Sequence, residues 1–179
     1  MQLLEGHHNN EIEIEELFRQ TFTTSEGAEE GRLVSTLAAN LMRSTPTQDL
    51  LVFQALNKQQ LHGAIMFSRM VFAEDKREVF LLSPVAVRTC EQGKGVGQKL
   101  VNFGLDILRQ NGIDFVITYG DPKYYSKVGF EQISEEFANP PFRLQFPHGW
   151  QGQSLAGGDM VPLKGVSRCV TAFSDPALW

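Results

Sequence analysis

Glu78-Val79-Phe80-Leu81-Leu82-Ser83-Pro84-Val85-Ala86-Val87 runs through Arg88-Thr89-Cys90-Glu91 into Gln92-Gly93-Lys94-Gly95-Val96-Gly97-Gln98, and this stretch decides the fold. The first ten residues are β-rich and apolar, as expected of a strand buried on both faces. The glycines stop it. Beyond them Val96, Leu100, Phe103, Leu105, Ile107 and Leu108 mark an amphipathic helix to about Gln110, closed by Asn111-Gly112. Residues 113–118 read as a second buried strand. Strand, glycine loop, helix and strand form a right-handed crossover, which makes the two strands parallel neighbours.

Outward from this unit the pattern changes. Residues 50–56, 61–71 and 78–87 are β-rich runs separated by short polar turns, the signature of an antiparallel meander. Before them residues 2–5 read as a short strand. A helix follows from a cap at Asn9 or Asn10, with Ile14, Leu17 and Phe18 on its apolar face, and a second helix covers residues 27–43. After the crossover, Asp121-Pro122 opens a short helix over residues 122–128. The tail is expected to hold a strand at 142–146, a glycine-rich loop at 148–158 and a last strand near 166–173. The fold class is α/β (α+β): a mixed, mostly antiparallel sheet of six to seven strands flanked by helices.

Composition sets bounds. At 179 residues the chain suits a single domain over 1–179, divided into an N-terminal strand and two helices (1–48), a sheet with the anion-binding loop (49–130) and C-terminal strands (131–179). A net charge of −5 disfavours nucleic acid as a general partner. Cys90 and Cys169 lie far apart and read as free thiols of a reducing compartment, and His7, His8, His62 and His148 form no ligand cluster, so no metal is expected. No apolar window approaches the roughly 20 residues of a membrane span, and the expected location is the cytoplasm. Thirteen phenylalanines imply a large aromatic core, an apolar pocket, or both.

A strand running into glycines and then a helix presents several backbone N–H groups at one point, where the helix dipole also favours an anion. Lys94 adds a positive charge. The mononucleotide P-loop needs Ser or Thr after its lysine, and here Gly95 follows Lys94. The dinucleotide fingerprint needs a third glycine where Gln98 stands, and alternating βα units where this chain has a meander.

The segment does match Gln/Arg-x-x-Gly-x-Gly/Ala. With Leu82-Ser83-Pro84-Val85-Ala86-Val87 before it and Gly120-Asp121-Pro122-Lys123-Tyr124-Tyr125-Ser126-Lys127-Val128-Gly129-Phe130 after it, the chain resembles the GNAT superfamily of N-acetyltransferases, in particular its YhbS-like branch. The resemblance covers residues 50–133 well and implies acetyl-CoA as co-substrate, lying between two parallel strands that splay apart. Its pantetheine arm would pair with Val85, Ala86 and Val87. Its pyrophosphate would rest on the segment Gln92, Gly93, Lys94, Gly95, Val96, Gly97 and Gln98, accepting from the backbone between Gly93 and Gln98. Tyr125 matches the tyrosine that protonates the departing thiolate; a phenol is neutral at pH 7 and suits a general acid.

The reaction implied is direct acetyl transfer to a primary amine of a small molecule or peptide in a ternary complex. The alternative is an acyl-CoA-binding or sensory module without catalysis. No nucleic acid or membrane partner is expected, and the chain would be a monomer or homodimer. Glu78, Ser83 and Asp121 are candidates for the general base, each with a structural explanation beside it: a solvated strand end, a splay point and a helix cap. Pro84 removes a ladder donor from a central strand, which suits a sheet that opens there. Cys90 has no activating partner in sequence and reads as a passive thiol.

Overall fold

The computed structural model describes residues 1–7 and 9–179; His8 lies outside the described residues. They gather into two compact units, Met1–Phe67 with Ser83–Gly104, and Ser68–Leu82 with Leu105–Trp179.

In the first unit β1 (Gln2–Glu5) pairs antiparallel with β2 (Leu50–Asn57), Gln2 opposite Leu56 and Glu5 opposite Phe53. Between them in sequence lie α1 (Glu11–Glu26) and α2 (Ala28–Ser44). Ile14, Leu17 and Phe18 of α1 are buried, as are Val34, Leu37, Ala38 and Leu41 of α2, so the expected apolar faces are the faces used. Asn10 does not cap α1 through its side chain; its amide donates to Gln54 Oε1 on β2 at 2.7 Å instead. β3 (Gln60–Phe72) and β4 (Val79–Val87) each begin or end in this unit, and α3 (Val96–Gln110) starts here. Phe53 meets Phe67 and Phe103 edge-on, with centroids 5.8 and 5.6 Å apart. Here the phenylalanines make core, each worth about 1.5–3 kcal/mol when fully buried.

In the second unit β5 (Phe115–Tyr119) runs parallel to β4, from Val79 opposite Phe115 to Leu82 opposite Thr118, where the ladder ends. A side chain closes each end. Asp114 Oδ2 accepts from the Glu78 N–H at 2.7 Å, and the Thr118 hydroxyl donates to the Leu82 carbonyl at 2.9 Å. After β5 come α4 (Pro122–Tyr125), β6 (Glu131–Gln132), β7 (Trp150–Ser154) and β8 (Ser167–Cys169). β7 pairs antiparallel with both β5 and β6, and β8 with the end of β3.

The strand order is β1-β2-β3-β4-β5-β7-β6, with β8 on β3. Among the described residues the sheet has eight strands, the one beyond the expected count being the two-residue β6. The strand expected at 142–146 is absent. Leu144 is buried there, but the Phe146 N–H donates to the Tyr119 hydroxyl at 2.8 Å, a side-chain bond rather than a ladder. The partner of β5 is Trp150–Ser154, inside the segment read as a loop. Its Gly152 lies beneath the Phe115 ring, where a Cβ would come within 2.6 Å of Cε1. The last strand is shorter than 166–173, giving way to a 3-10 turn over Thr171–Phe173.

Trp179 stacks on Tyr119 with centroids 6.4 Å apart and meets Trp150 at 6.0 Å, and the Trp150 indole donates to the Ala138 carbonyl at 2.8 Å. A polar tie holds another stretch of this tail. Arg77 donates to Asp75 and to the carbonyls of Val161 and Pro162, and the Lys164 N–H donates to Asp75. The hydrogen bond from Arg77 holds the Asp75 carboxyl well below the usual carboxylate range. A carboxyl depressed in the folded state stabilises above its unfolded pKa and loses that contribution as pH falls through the folded value. Asp75→Asn is therefore expected to cost about 2 kcal/mol at pH 7. The difference between variant and parent should shrink below about pH 4. Denaturant unfolding at pH 7 and pH 3 measures both.

Candidate active site

Residues 83–87 and the glycine loop belong to the first unit. Residues 83–87 of β4 alternate, with Pro84 and Ala86 buried and Ser83, Val85 and Val87 half-buried. The strand still rests on β3 at this end: a Cβ on Gly63 would lie 3.2 Å from the Ala86 carbonyl oxygen, and the Arg88 N–H donates to the His62 carbonyl at 2.9 Å. A 3-10 turn over Thr89–Glu91 leads into the glycines. Gly93 and Gly95 take φ of +74° and +78° in open space, so conformation rather than crowding demands glycine there. The Lys99 N–H donates to the Gly95 carbonyl at 3.1 Å as the helical ladder of α3 begins, so the N–H groups from Gly93 to Gln98 lie ahead of that bond.

The side chains around the loop brace it. Gln92 turns back to donate to the Val87 carbonyl at 3.0 Å. Arg88 donates to the Leu61 carbonyl, so its cation is spent on β3 rather than on the loop. Lys94 is 59% exposed and pairs with Glu91 at 3.3 Å; the other Glu91 oxygen lies 3.7 Å from His62 Nδ1.

Tyr125 belongs to the second unit. Asp121 caps α4, accepting from the Lys123 N–H at 2.9 Å, which leaves it in its structural role. Tyr125 is 9% exposed, its ring meeting Tyr124 and Phe130 edge-on at 5.0 and 5.7 Å. It lies so close to Gly120 that a Cβ there would come within 2.8 Å of its ring. Burial pushes the Tyr125 phenol up, and a hydrogen bond with Thr118 pulls the other way. Tyr125 is therefore protonated at neutral pH.

Residues 12–130 match the family described as Acetyltransferase (GNAT) family. The chain belongs to the GNAT acetyltransferases. It is 31% identical over 147 residues to the N-acetyltransferase YjhQ of Escherichia coli K12, covering 79% of this chain and 81% of that one. The crystal structure of Escherichia coli YhbS in complex with CoA superposes with a TM-score of 0.80 at 24% identity, over 97% of this chain and 92% of the other. A GNAT acetyltransferase of Brucella melitensis in complex with acetyl-CoA gives 0.71 at 25% identity, over 97% of both chains.

Glu78 forms an ion pair with Arg69, whose guanidinium lies 5.1 Å from the Phe80 ring centroid. Glu30 is raised by burial and then by Glu26, and Phe137 packs against Phe115 at 5.9 Å. Among the described residues no group of His, Cys, Asp and Glu is placed to hold a metal, and no helix is long and apolar enough to cross a membrane. A cleft of about 430 Å³ in the second unit lies over Asp75, Arg77 and Asp114. Asp75 is taken by Arg77 and Asp114 by the Glu78 N–H, so it is the seam of the tail tie.

Two contributors escaped the sequence reading. Thr118 reads only as a β-branched strand residue, because its partner Leu82 lies 36 positions away. Gln151, 1% exposed, donates to the Gly120 and Gly149 carbonyls at 3.2 Å each and so supports the approach to α4.

Of the two thiols, Cys90 is exposed while burial pushes Cys169 up to about 12. Ellman titration of the native protein at pH 8 should therefore read one rapid thiol, lost in Cys90→Ser, with the second appearing only in denaturant.

Proposed function

We propose that this GNAT enzyme moves an acetyl group from acetyl-CoA to a primary amine by direct transfer in a ternary complex. The run of N–H groups ahead of the first bond of α3, at two glycines of positive φ, carries this reading. Such an array suits a pyrophosphate, with Lys94 able to exchange Glu91 for an anion. Gln92 keeps the strand–loop joint in place through Val87, and the half-buried Val85 and Val87 flank Ala86 on the stretch assigned to the pantetheine arm. Acetyl-CoA supplies an activated thioester, and Tyr125 supplies a neutral phenol as general acid for the thiolate. Glu78 is excluded as base by its ion pair with Arg69 and its position at the start of the parallel ladder. The amine acceptor is a small molecule or peptide.

Isothermal titration with acetyl-CoA tests the cradle: micromolar binding is expected, and no heat at millimolar ligand would sink the reading. Gly95→Val, forced toward a left-handed backbone, should weaken binding at least about tenfold. Tyr125→Phe should lower turnover by about a hundredfold while leaving cofactor affinity within about twofold. Transfer is read as CoA thiol release with spermidine, kanamycin, a lysine peptide and a free peptide N-terminus. Binding without transfer to any amine would reduce the chain to an acyl-CoA-binding module.

A further inference from the structure

We propose that Gln151 is a positioning residue of the general acid, acting through the Gly120 backbone against which the Tyr125 ring rests. The inference rests on the assignment of Tyr125 above, and every residue in it belongs to the second unit. Gln151 lies on β7 opposite Thr118 and is 1% exposed. An amide nitrogen carries two protons, and a carbonyl oxygen can accept twice. Gln151 Nε2 donates to the carbonyls of Gly120 and Gly149, at 3.2 Å each. The Gly120 N–H donates to the same Gly149 carbonyl at 3.0 Å. The three residues thus close a ring of hydrogen bonds in which Gly120 is held by its N–H and by its carbonyl.

The general acid is layered directly on this ring. A Cβ on Gly149 would lie 3.0 Å from the Gly120 carbonyl oxygen, and a Cβ on Gly120 would lie 2.8 Å from Tyr125 Cε2. Two bare backbones and an aromatic ring are packed with no room for a methyl group between them. Cε2 adjoins the carbon that bears the hydroxyl, so a shift of Gly120 moves the reacting end of the ring. The rings of Tyr124 and Phe130 flank it edge-on. From the residue after Gly120 the anchorage continues into α4, where the N–H groups of Tyr124 and Tyr125 donate to the Asp121 carbonyl at 3.0 and 3.2 Å. A reacting group misplaced by about 1 Å can cost about a hundredfold in rate. Fixing Gly120 therefore fixes the acid. Glutamine suits the task, because methionine of similar length would fill the space and donate nothing, while glutamate would bring acceptors to two acceptors.

Gln151 is buried, so a loss of activity alone would not separate positioning from structure. A double-mutant cycle with Tyr125→Phe does. The probe is hydrolysis of acetyl-CoA without added amine, read as CoA thiol, which needs no knowledge of the acceptor. Gln151→Met should slow it about tenfold, with acetyl-CoA affinity by isothermal titration within about twofold of the parent. Gln151→Asn, whose amide stops one methylene short, gives the same test should the methionine variant fold poorly. Gly120→Ala, which presses a methyl group on the ring, should slow hydrolysis at least as much. In a Tyr125→Phe background, where the ring remains but has no proton to place, none of these changes should lower the rate further. An equal fall in both backgrounds, or none in either, overturns the proposal, as does a loss of acetyl-CoA affinity large enough to account for the fall. A parental rate in Tyr125→Phe alone overturns the acid assignment, and the proposal with it, by a failure seen without touching Gln151. Thermal melts of each variant confirm that the folded enzyme is being compared.

Discussion

The parallel pair of β4 and β5 within the second unit is short. Parallel ladders are slightly less stable per residue than antiparallel ones. Ended after Leu82 and Thr118, this one leaves backbone groups that have no further rung to join. Two side chains take them: Asp114 receives the Glu78 N–H, and Thr118 covers the Leu82 carbonyl. Leaving the buried Leu82 carbonyl unpaired would cost about 1–3 kcal/mol. Asp114 also accepts through its backbone carbonyl from Leu155 and Ala156, so one residue secures the start of the ladder and the exit of β7. At the other end Tyr119 fixes the Phe146 turn through its hydroxyl, and Gly120 leaves room for the Tyr125 ring.

The first unit solves a different problem with similar economy. On the proposed function the loop must offer N–H groups, which means withholding internal partners from them. Positive φ at Gly93 and Gly95 turns the backbone without closing those bonds, and Gln92, Arg88 and Glu91 hold the loop from its flanks. Rigidity therefore comes from side chains bonded to β3 and β4, while the backbone donors stay available. For the pyrophosphate proposed above, a loop built this way would require little reorganisation.

Much of this is legible along the chain because it is local. The crossover, the glycine loop and the Tyr-Tyr segment each lie within a few residues of the features that define them, and the apolar faces of α1 and α2 follow the helical period. The tail departs from its sequence pattern where packing overrides it. Phe142, Leu144 and Phe146 alternate as a strand does, yet Phe142 packs on Trp179 at 6.4 Å and Phe146 is 60% exposed. Gly152 makes the true strand look like a loop, since the Phe115 ring that covers it comes from 37 residues earlier. The Thr118–Leu82 bond is illegible for the same reason, being a contact made by topology rather than by spacing.

That last bond explains a choice of residue. By packing alone valine would serve at position 118, a buried β-branched site in a short apolar strand. It would leave the Leu82 carbonyl without the partner it now has. Serine would satisfy the carbonyl but give up the methyl group and the β-branching that suit a strand. Threonine meets both demands at once.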